Sequence, residues 1–95
     1  MITRTSFNES LALTAPPQYY TIYQQSLWHD ANGDWQSAHD LIDHLDDLIS
    51  AHIHAYLHRK EGDQWNAGYW YKRAKQPVFT GALKDEFEYL FDLYA

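Results

Sequence analysis

The segment Gly33-Asp34-Trp35-Gln36-Ser37-Ala38 returns as Gly62-Asp63-Gln64-Trp65-Asn66-Ala67, an offset of 29 residues (62 − 33). A fixed period of this length marks stacked supersecondary units, because one unit alone cannot bury its apolar face. In both copies a glycine precedes an aspartate. Glycine reaches the left-handed backbone region without steric penalty and so ends helices, and aspartate is a strong helix N-cap. Each Gly-Asp is therefore predicted as the turn of a helical hairpin, and the chain as a stack of such hairpins.

Composition narrows the class further. A chain of 95 residues buries roughly 60–70% of its unfolded surface, enough for one core. Aromatic residues make up 17% of it, with four Trp, eight Tyr and four Phe, so large rings must carry much of the packing. The net charge of −6, with seven Lys and Arg in all, argues against a surface that tracks phosphates and hence against nucleic acid as a partner. There is no cysteine for a disulfide or a thiolate. No run of about 18 apolar residues exists to span a bilayer, and the first residues carry neither an apolar stretch nor a basic leader. The expectation is a cytoplasmic, acidic protein with no membrane partner.

Residues 1–15 hold scattered apolar side chains (Ile2, Phe7, Leu11, Leu13) without a sustained period and are expected to form an extended arm, with at most a short turn of helix around Phe7 to Leu11. Residues 16–95 are expected to form a single helical-repeat domain. Pro16-Pro17 suits a helix start, so the first helix is placed at about 17–31, ended by Gly33. A second helix runs from about Trp35 to His44 with Ala38, Leu41, Ile42 and Leu45 inward. If the second copy is built like the first, a third helix starts near Asp46 or Asp47, buries Ile49, Ile53, Tyr56 and Leu57, and stops at Gly62. The fourth covers about 64–75 before Pro77, and the fifth carries the stripe Leu83, Phe87, Leu90, Phe91 and Tyr94.

The run Gly62-Asp63-x-x-x-Ala67-x-x-x-Tyr71-x-x-Ala74 resembles the second half of a tetratricopeptide repeat, and Gly33-Asp34-x-x-x-Ala38-x-x-x-Ile42-x-x-Leu45 resembles it more loosely. Ser26 and Ala55, again 29 apart, stand where the family places a small residue at the helix crossing. The period is shorter than the family's 34 residues or so. His54 stands where the family prefers leucine, and His29 and His58 where it prefers an aromatic. The resemblance implies an all-α, tetratricopeptide-like stack of about five antiparallel helices, an α-α superhelix fragment, with close helix contacts at Ser26/Ala38 and Ala55/Ala67. It also implies a protein- or peptide-binding role.

The chemistry-bearing residues divide into three groups. His54 and His58 lie four apart on one helix face, and His39 with Asp43 repeats that spacing on the preceding helix, a geometry that can seat two ligands on one metal ion. No third ligand follows from spacing, and His29 and His58 occupy equivalent places before the two turns. An equivalent histidine in both copies is better explained by packing beside the turn. No metal ligand and no cofactor is therefore assigned. The second hairpin offers a richer set, His54, His58, Arg59, Asn66, Tyr69, Trp70 and Arg73, whose rings and cations suit partner recognition. The third group, Asp40, Asp43, Asp46 and Asp47, is read as a solvated face and a helix cap. Neither a Gly-x-Ser-x-Gly elbow nor a glycine-rich phosphate loop is present.

These readings converge on a small, non-enzymatic interaction module that binds a protein or peptide partner, or a second copy of itself, through these residues of the second hairpin, with His54, His58, Tyr69 and Arg73 foremost, or through the exposed solenoid edge. The competing reading is a small metal-dependent or acid-base enzyme using His39, Asp43, His54 and His58.

Overall fold

In five of the six helices a side chain satisfies an orphan N–H group of the first turn; the last helix starts after Ala82 without one. The computed structural model describes all 95 residues, which form six helices and no strand: α1 (Arg4–Ser10), α2 (Ile22–Ala31), α3 (Trp35–Ile42), α4 (Leu48–Lys60), α5 (Gln64–Arg73) and α6 (Leu83–Tyr94). Thr3, Thr21, Asp34, Asp47 and Asp63 each accept a hydrogen bond from the N–H three residues on. None of the helices is long and apolar enough to cross a membrane.

The repeat persists in the backbone. Gly33 and Gly62 sit at φ +79° and +90°, and the N–H of the following aspartate returns to the carbonyl of His29 or His58 at 2.9 Å in both copies. The helix interval between the copies breaks where an aspartate can cap. Residues 43–47 leave the α3 path, and Asp47 accepts from the Ser50 N–H at 3.0 Å while its other oxygen takes the Ser50 hydroxyl at 2.7 Å.

Three expectations are corrected. The first helix does not start at Pro17. A turn there (Tyr20 N–H to the Pro17 carbonyl, 3.1 Å) leads to a capping box in which the Thr21 side chain accepts from Gln24 N–H and the Gln24 side chain accepts from Thr21 N–H. Two donors satisfied at once outweigh the preset φ of proline. The arm is not extended across 1–15: residues 4–10 form α1, with Phe7 fully buried against Phe87, Phe91 and Tyr20. The helix count is therefore six.

The two hairpins, α2/α3 and α4/α5, approach through small residues. Ser26, Ala38, Ala55 and Ala67 are all fully buried, and Ser26 Oγ donates to the Ala38 carbonyl at 2.9 Å. α6 packs across α2 and α4, and the main core joins Leu27, Trp28, Ile42, Ile53, Tyr56 and Leu57 to Phe87, Leu90 and Phe91. The chain ends meet where Ile2 N–H donates to the Ala95 carbonyl at 2.8 Å. The radius of gyration, 12.5 Å, is about that of a fully collapsed chain of this length, so α1 belongs to the body.

Candidate functional site

The joint between the hairpins is built from histidines. α4 presents His54 and His58 on consecutive turns toward α3, which presents His39 from the other hairpin. His54 Nε2 lies 3.0 Å from His39 Nε2, and the His58 ring lies 4.7 Å from that of His54 and 5.5 Å from that of His39, centre to centre. One ring nitrogen from each of the three falls within 4.8 Å of the others. Two indoles hold the ring planes: Trp35 stacks on His39 at 4.8 Å, and Trp70 stacks on His54 at 3.9 Å. Trp35 is itself fixed by its indole N–H, which donates to the Leu57 carbonyl at 2.7 Å.

Charges surround the cluster unevenly. His54 is 4% exposed, and desolvation, reinforced by the neighbouring His39 and His58, lowers its pKa to about 4, so its ring stays neutral at neutral pH. His39 Nδ1 is buried without a hydrogen-bond partner; the nearest carboxylate oxygens are Asp40 Oδ1 at 3.5 Å and Asp43 Oδ2 at 3.9 Å. His58 Nδ1 lies 3.4 Å from Glu61 Oε1. Carboxylates thus lie beside Nδ1 of both His39 and His58, while the other ring nitrogen of His39 faces His54.

The seven residues proposed from the sequence separate into four places. His54, His58 and Trp70 meet in the cluster. Tyr69 and Arg73 lie beside it on the outer face of α5: Arg73 Nη1 donates to the Tyr69 hydroxyl at 3.2 Å, an interaction that raises the arginine pKa, and its guanidinium sits 5.3 Å from the Trp70 ring centre. Asn66 serves the turn, its Nδ2 donating to the Asp63 cap at 2.6 Å. Arg59 leaves the group altogether. It pairs with the buried Glu86 at 3.0 Å and donates to the Gly81 carbonyl, while the Tyr71 hydroxyl also donates to Glu86. Burial and the Glu86 carboxylate raise the Tyr71 pKa, which keeps that phenol a donor.

The competing sequence reading already sets His39 beside His54 and His58; Trp35 is the member of the cluster that spacing does not reveal, because it comes from the other hairpin. The repeat equivalence of His29 and His58 stops at the backbone: His29 packs edge-on against Trp28, away from the cluster. Neither cavity of the protein is lined by the three histidines. The larger, about 840 Å³, lies among α1, α2, α4 and α6, and the smaller, about 220 Å³, lies at His52 and the 76–81 loop. No family model matches this chain, and neither a curated protein nor a solved structure matches it.

Proposed function

We propose that this protein is a tetratricopeptide-like hairpin module that docks an acidic peptide segment of a partner protein on the outer face of α5. The observation that carries this reading is Trp65, which is 79% exposed on a folded domain of this size. Tyr69, 45% exposed, and Arg73 follow it at intervals of four, so the three share one arc of the helix. Trp, Tyr and Arg are the side chains that most often dominate the energetics of an interface.

Charge supplies the chemistry of the occupant. Of the seven Lys and Arg, Arg4, Arg59 and Lys60 are paired with Glu88, Glu86 and Asp30. The other four make no ion pair; Lys84 lies in α6, and Lys72, Arg73 and Lys75 gather at the end of α5, on a chain of net charge −6. The helix dipole favours cations at that end without any partner. It gives no reason for an exposed tryptophan two turns earlier. A segment carrying Asp or Glu beside an apolar side chain satisfies both features.

Selection from a random-peptide display library tests the reading. Peptides rich in Asp and Glu should be enriched on the native chain, and Arg73→Glu or Trp65→Ser should weaken their binding by about tenfold or more. Enrichment that is indifferent to charge, or undiminished on both variants, contradicts it. A concentration-dependent dimer abolished by Trp65→Ser would assign the face to a second copy of the chain instead.

A further inference from the structure

The histidine joint supports a second activity that does not depend on peptide docking, so either can fail alone. We propose that His39, His54 and His58 are the protein ligands of a transition-metal site that takes zinc, or a divalent cation of similar preference such as nickel or copper, through their ring nitrogens.

The geometry is already close to that of a ligand set. Zinc holds histidine nitrogens at about 2.0–2.1 Å in a tetrahedron, which places neighbouring donors about 3.3 Å apart. The His54 and His39 Nε2 atoms are 3.0 Å apart. His58 closes the triangle by a small ring rotation, since the three donor nitrogens already lie within 4.8 Å and its side chain is 13% exposed at the rim. Three imidazoles suit zinc, nickel and copper, whereas magnesium and calcium require oxygen ligands.

Packing alone leaves one feature unexplained. A buried polar atom without a partner is rare, yet His39 Nδ1 is such an atom, with Asp40 and Asp43 just beyond hydrogen-bond reach. A histidine bound to a metal through one nitrogen characteristically donates its other N–H to a carboxylate. His39 has that carboxylate pair on its outer side, and His58 has Glu61 at 3.4 Å. A bound cation would make both outer N–H groups stronger donors and draw these carboxylates in. Trp35 and Trp70, stacked on two of the ligands, fix the ring planes in advance. Three protein donors leave at least one coordination position of a tetrahedral ion for a water or another ligand.

Calorimetric titration of the tag-free, chelator-stripped chain with zinc chloride tests the site, with magnesium chloride as the control cation. One zinc per chain should bind, and magnesium should not compete. His39→Gln and His58→Gln should each weaken zinc at least about tenfold, while His29→Gln and His44→Gln, outside the cluster, should bind as the native chain does. Nickel should quench the tryptophan fluorescence of the unsubstituted chain at the same stoichiometry, a readout that stands even where a variant fails to fold. Absence of saturable one-to-one zinc binding, equal weakening by the control substitutions, or nickel quenching that never saturates would overturn the assignment.

Discussion

Replacing Phe7 with alanine lowers the stability of this domain by about 3–5 kcal/mol, the cost of removing a fully buried phenylalanine and leaving a cavity. A domain of this length is stabilised by only about 5–14 kcal/mol, so the substitution removes a large share of it. The reason lies in what the ring touches. Phe87 and Phe91 of α6 and Tyr20 ahead of α2 surround it at 5.1–6.4 Å between ring centres, and Arg4 lies over the same aromatic group at 5.1 Å. Phe7 thus ties the first helix to the last. Urea unfolding of the Phe7→Ala variant beside Thr5→Ala, an exposed neighbour, measures the effect. A loss below about 1 kcal/mol for Phe7→Ala would mean that α1 is a detachable arm.

Acid destabilises the fold through two buried histidines. His52 and His54, 2% and 4% exposed, have pKa values lowered from 6.5 to about 4, chiefly by desolvation. Between those values the unfolded chain binds protons that the folded chain refuses, so stability rises with pH across the window and falls on acidification. The penalty is absent above the unfolded value of 6.5 and complete below about 4. Each histidine contributes at most about 3 kcal/mol. The caps Asp34 and Asp63 act lower: hydrogen bonds from Ser37 and Asn66 depress their pKa values below 3.8, so what they contribute is lost only beneath that pH. Urea midpoints measured from neutral pH down to about 4 should decline steadily, with a shallower slope in His52→Asn. A flat profile over that window would contradict the burial of these rings.

Local signals were legible and contacts between segments were not. The Gly-Asp turns, the break before α4 and the caps follow from residue types acting over three or four positions; Asp34 and Asp63 cap where the sequence places them, and of Asp46 and Asp47 it is Asp47 that caps α4. α1 is only seven residues long, too short for a period to emerge, so Phe7 read as a stray apolar residue. The Thr21 capping box was present as Thr-x-x-Gln and was masked by the stronger-looking proline pair. At the site, the stacking of His54 on Trp70 follows from one hairpin folding on itself, and the pairing of Tyr69 with Arg73 follows from their i, i+4 spacing on α5. Arg59 pairs instead with Glu86, 27 residues on, because α6 folds back over α4. His39 joins His54 through packing between hairpins, which no spacing encodes. His29 and His58 share the turn and a place beside its aspartate cap, but their ring neighbours differ.

Zinc titration of isotope-labelled protein, followed by the ring resonances of its six histidines and the indole N–H signals of its four tryptophans, tests the hairpin joint most directly. His39, His54 and His58, with Trp35 and Trp70 beside them, should shift together and saturate at one equivalent. Shifts centred on His29, His44 or the amino terminus, with those five residues unmoved, would contradict it.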